Sequence, residues 1–125
     1  MIVRCTKREK RDGGTYRDLV VGKTYVVMTI HFSQRGSSYL VYIPEKSETP
    51  IPYDALCFSI VDGEIPEGWV FGEQAPGYYS IGPRAWMRTG FWECVFDGPC
   101  DARRVFERER DALVEKYLER TESDR

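Results

Sequence analysis

The sequence predicts an α+β fold: a small, mainly antiparallel β-barrel or twisted sheet of five or six strands, with short helices and a C-terminal amphipathic α-helix. Three observations predict it. β-Branched and aromatic runs separated by polar turns recur through the first two thirds of the chain. A helical apolar period takes over in the last fifth. The length, 125 residues and 14.5 kDa, is that of one domain. That domain is placed at residues 1–120, strand-rich over 1–82 and helical over 83–120, with a polar tail at 121–125 that frays.

Ile2 to Thr6 is a short β-prone run, and Lys7 to Thr15 is a charged loop turning at Asp12-Gly13-Gly14. Thr24 to Ile30 is the strongest strand. Strict alternation puts Tyr25, Val27 and Thr29 on one face and Val26, Met28 and Ile30 on the other. A turn at Gly36-Ser37 leads to a strand at Tyr39 to Ile43, making a hairpin with a longer loop. Pro44 to Pro52 reads as a polar connection and Leu56 to Val61 as a third strong strand closed by Asp62-Gly63. Trp69 to Phe71 and Tyr78 to Ile81 are shorter strands around Ala75-Pro76-Gly77. Pro83 suits the first turn of a short helix over Arg84 to Met87. Phe91, Trp92, Val95 and Phe96 share a helical turn. Gly98-Pro99-Cys100-Asp101 starts the last helix, with Pro99 at its first position and Asp101 at the positive end of its dipole. Ala102, Val105, Phe106, Leu113 and Tyr117 then form one stripe. Glu109 falls inside that stripe: it either reaches out at the edge or is a buried carboxylate paired with a basic residue.

Composition excludes several classes. Aromatic residues make up 14% of the chain, too many for a disordered protein. Net charge is -2, which argues against nucleic-acid binding driven by overall charge and leaves room for a local patch. No apolar run approaches a membrane span, and the N-terminus lacks a signal-peptide apolar segment, so a cytoplasmic protein is expected. Cys5, Cys57, Cys94 and Cys100 form no C-x-x-C pair, so reduced thiols and no metal site are expected. No cofactor is expected either.

The opening carries a resemblance. Ile2-Val3-Arg4-Cys5 followed by Leu19-Val20-Val21-Gly22-Lys23-Thr24-Tyr25-Val26-Val27, with Cys57-Phe58-Ser59-Ile60-Val61 later, resembles small SH3-like barrel proteins of bacteria and phages over residues 1–62. The second half, with Ile65-Pro66-Glu67-Gly68-Trp69 and Gly90-Phe91-Trp92-Glu93, is similar to small bacterial proteins that include immunity proteins of polymorphic toxin systems. The resemblance implies a binding protein and carries over no functional residue.

Catalytic signatures are absent. His31 is the only histidine; it is read as a strand-end residue, and no motif places a serine or cysteine within its reach. Val21-Gly22-Lys23-Thr24 lacks the first glycine of a phosphate loop and precedes a strand. Glu64 and Glu67 are a carboxylate pair with no pocket signal.

Charge is uneven along the chain. Residues 1–35 hold eight basic and three acidic residues, whereas residues 36–82 hold Lys46 alone against seven acidic ones. The acidic middle, with its aromatics, predicts a protein-binding surface formed by Asp54, Asp62, Glu64, Glu67, Trp69, Glu73, Tyr78 and Tyr79. Such a surface could cover the cationic site of a toxin domain. The alternative is nucleic-acid binding through Lys7, Arg8, Lys10, Arg11 and Arg17. A phage-type accessory protein is a third reading.

Overall fold

The computed structural model describes residues 1–46, 50–87, 91–97 and 101–123. The elements run β1 (Ile2–Cys5), β2 (Thr24–Ser33), β3 (Gly36–Val41), β4 (Ile51–Asp54), a 3-10 turn (Ala55–Cys57), β5 (Phe58–Asp62), β6 (Trp69–Ala75), β7 (Tyr78–Pro83), a second 3-10 turn (Arg84–Met87), α1 (Phe91–Asp97) and α2 (Ala102–Ser123). Among the described residues all strand pairings are antiparallel. β2 is the spine. One of its edges pairs with β3, which carries β4; the other pairs with β1 through Thr24–Val26 and with β7 through Ile30–Phe32. β5 extends the sheet beyond β1 and β6 extends it beyond β7. The sheet is not closed: β4, β5 and β6 are its ends.

β2 is buried on both faces because each meets a different core. The inner core gathers Val3, Cys5, Leu19, Tyr25, Val27, Ile30, Val41, Tyr53 and Cys57. The outer core gathers Val26, Met28 and Leu40 under Trp86, Phe91, Val95, Phe106 and Leu113. Strict alternation fails at one point. The β2–β3 register slips between Val27 and Thr29, so that three residues of β2 face two of β3. Met28 is the extra residue of a bulge. Ile30 therefore joins Tyr25 and Val27 in the inner core, which corrects the face assigned to it by alternation.

Other sequence expectations shift for local reasons. The connection expected over Pro44 to Pro52 ends in strand β4, and the described residues form seven strands instead of the expected five or six. Leu56 and Cys57 belong to a 3-10 turn, so β5 starts at Phe58. β2 continues to Ser33, which puts His31 inside it. The second 3-10 turn covers the expected Arg84–Met87.

Helix α2 lies on the outer face. Ala102, Val105, Phe106, Leu113 and Tyr117 all pack into the outer core, as their spacing predicts. The Tyr117 and Thr24 hydroxyls, 2.7 Å apart, tie the helix to the start of β2. The expected start signal at 98–100 lies outside the described residues, but the Asp101 carbonyl accepts the first helical bond from the Val105 N–H at 3.1 Å. The helix runs on to Ser123, into the tail expected to fray. Glu109 is half-buried on the rim of a groove, with no ion-pair partner among the described residues, which matches the edge reading. No described helix is long and apolar enough to cross a membrane.

Candidate functional site: an aromatic hairpin and a histidine pocket

The β6–β7 hairpin turns at Gly77, whose φ of +78° is a left-handed conformation that favours glycine. Its register builds a surface. Phe71, Ile81, Ile30 and Tyr39 form one row across β6, β7, β2 and β3; Glu73, Tyr79, Phe32 and Ser37 form the next. Directly paired residues share a face, so these rows lie on the inner-core side of the sheet. Towards β6 that side is open. Phe71 is 64% exposed and stacks on Tyr79, with centroids 5.6 Å apart and planes at 15°.

The eight residues expected to form one binding surface fall into separate places. Asp62, Glu64 and Glu67 lie at the end of β5 and in the following loop, with Glu64 and Glu67 beside α2. Trp69 is half-buried and packs against both cores. Glu73, Tyr78 and Tyr79 share the hairpin. Asp54 is at the far edge: its row runs through Ser38, His31 and Ser80 to Gly72, four strand spacings or roughly 19 Å away along the sheet. There its Oδ2 accepts the Arg11 N–H at 2.8 Å. Contiguity in sequence therefore does not become contiguity in space. Glu73 and Tyr79 do meet, and Phe71, missed by the charge argument, joins them, whereas Tyr78 turns to the opposite face beside His31.

The basic loop is an ordered hairpin. Glu9 and Thr15 form a β-bridge, and Tyr16 donates its N–H to the Arg8 carbonyl at 2.8 Å. Arg8 Nε donates to the Tyr16 carbonyl at 3.1 Å, and the Lys10 ammonium lies 5.2 Å from the centre of the Tyr16 ring. Tyr16 meets Tyr53 edge-on at 4.9 Å, anchoring the loop to the inner core. Lys7, Lys10, Arg11 and Arg17 remain exposed and Arg8 is half-buried.

A further site was invisible to local sequence reading. His31 Nδ1 lies 2.9 Å from Ser80 Oγ, because the β2–β7 register places these residues opposite each other across 49 positions. No sequence motif signals this contact; the sheet register makes it. The pair lines a cavity of about 190 Å³ with Thr29, Gln74, Tyr78, Trp86, Met87 and Trp92. Burial pushes the imidazole below its ordinary 6.5, which favours its neutral form.

Comparison with known protein families, curated proteins and solved structures finds no match.

The chemistry therefore rests on geometry alone. Nucleophilic catalysis needs a base oriented by a third group and an accessible nucleophile. Ser80 is 1% exposed, and among the described residues no carboxylate bonds His31. The contact satisfies a buried hydroxyl and fixes the imidazole. Cys5 and Cys57 are buried and burial raises both thiols above their ordinary value, which disfavours the reactive thiolate. Cys94 is exposed on α1, and Cys100 lies outside the described residues. No described group of His, Cys, Asp or Glu side chains is arranged to hold a metal ion.

Proposed function

We propose that the chain is a non-enzymatic, cytoplasmic protein of the bacterial immunity type that binds and blocks a cognate toxin domain. One observation carries this reading: the stacked Phe71–Tyr79 pair on the open side of the sheet, with Glu73 in the adjacent row. Exposed aromatics serve as anchors when a partner desolvates them, and a neighbouring carboxylate steers them towards a basic surface. The action is steric cover, with no bond made or broken. An SH3-like reading of residues 1–62 is supported by the five strands of that stretch bending around one inner core.

The test is capture of a toxin domain from the native host, followed by binding kinetics. Wild-type protein is expected to bind at about nanomolar Kd or tighter. Phe71→Ala is expected to weaken binding by at least about 30-fold, mainly through faster dissociation. Glu73→Lys is expected to slow association more than Glu64→Lys or Glu67→Lys, which lie beside α2. Unchanged dissociation in Phe71→Ala removes the hairpin from the interface.

The ordered basic loop favours a second reading as a nucleic-acid-binding barrel. Lys7 and Arg17 are its exposed cations outside the bonded core of the loop. If it binds phosphates, Lys7→Ala with Arg17→Ala should reduce the salt slope of oligonucleotide affinity by about 2. Absence of binding at low salt dismisses this reading.

A further inference from the structure

The cavity beside His31 has two unlike walls. The sheet supplies a polar one: Thr29, His31 and Ser80. The helical layer supplies an aromatic and thioether one: Trp86, Met87 and Trp92. Gln74 and Tyr78 close it from the β6–β7 hairpin. Trp86 and Trp92 are held edge-to-face at 5.5 Å, and both rings lean on Phe106, so the aromatic wall is braced from behind. Gly82 sets the spacing at one end. A Cβ there would come within 2.8 Å of Thr29 Oγ1 and 2.9 Å of Met87 Cε.

We propose that this pocket binds a neutral, flat, hydrogen-bonding heterocycle of nucleobase size. Three features select that class. Among the described residues the lining contains no Lys, Arg, Asp or Glu, so a charged group would meet no counter-charge from them. About 190 Å³ holds roughly six waters, enough for one ring system and too little for a drug-sized ligand. His31 and Gln74 can serve a base edge, while Trp92 and Tyr78 offer stacking surface. His31 is engaged through Nδ1, and its Nε2 has no partner among the described residues. It donates or accepts according to tautomer.

The test titrates the full chain with adenosine, guanosine, cytidine and uridine, and with tetramethylammonium. Tryptophan fluorescence and amide NMR shifts provide the readouts. At least one nucleoside is expected to saturate with a Kd of about 1 mM or tighter. Its shifts should centre on His31, Gln74, Ser80 and Trp92. Gln74→Ala, at an exposed position, and Trp92→Phe, which keeps an aromatic ring, should each weaken binding several-fold without loss of fold. Trp69→Phe, outside the pocket, should leave affinity unchanged. A single-stranded oligonucleotide that binds more tightly than the nucleoside assigns the base to a strand, whereas equal affinity assigns it to a free nucleoside. Saturation by none of the four overturns the proposal. So does tighter binding of tetramethylammonium, or affinity unchanged in both pocket variants.

Discussion

Between pH 10 and 12 the protein is expected to lose stability steeply, with Tyr53 as the largest single contributor. Tyr53 is 2% exposed, and burial, reinforced by the negative charge of Asp18, pushes its phenol from 10.0 up to about 12. In the unfolded chain the phenol releases its proton near 10, whereas in the folded protein it keeps it to about 12. The unfolded state thus binds fewer protons across this window, and stability falls as pH rises. The contribution is present in full below pH 10, and about 2 kcal/mol of it is lost by pH 12. Tyr16, Tyr25 and Tyr39 are raised by burial in the same direction, as are the thiols of Cys5 and Cys57. All six groups lie in or against the inner core, so their ionisation opposes the same packing. Urea midpoints at pH 8 and pH 11.5 measure the loss. Tyr53→Phe should flatten the curve. It should cost little at pH 8, because it removes a buried hydroxyl with no partner among the described residues. Identical alkaline losses in wild type and Tyr53→Phe would refute the assignment.

Phe106→Ala is expected to cost about 3–5 kcal/mol, a large part of a typical total of about 5–15 kcal/mol. Phe106 is 1% exposed, with its ring centre 5.2 Å from that of Trp86 and 5.7 Å from that of Trp92. Its removal leaves a cavity where α1, α2 and the second 3-10 turn converge. Urea unfolding at neutral pH should show the midpoint lowered by about 2 M. The tryptophan emission of the folded variant should shift to the red as Trp86 and Trp92 gain water. A midpoint within about 0.3 M of wild type would mean that the helical layer is not held by this ring.

Local sequence signals revealed those elements whose stability is local. The β-branched run from Thr24 and the apolar stripe of α2 each bury one coherent set of side chains, and both lie where expected. β4 was hidden because Pro50 and Pro52 argue against a strand. The structure accommodates Pro52 in β4 because β4 pairs only with β3, and an edge strand tolerates a missing N–H donor. The acidic set misled because proximity along the chain says nothing about which sheet edge each turn reaches. The histidine pocket was illegible for the converse reason: Ser80 meets His31 only through the β2–β7 register, and the facing walls come from the second 3-10 turn, α1 and β6.

The surplus residue at Met28 decides what each side of the molecule can recognise. Beyond it the spine is out of phase with its own first half. Were the strand to run through Met28 without the bulge, Ile30 and Phe32 would turn towards the helices, while Thr29 and His31 would turn into the oily interior. Deleting Met28 would thus flatten the strand and keep both linings, whereas a flat strand that retained Met28 would exchange them without changing any side chain's identity.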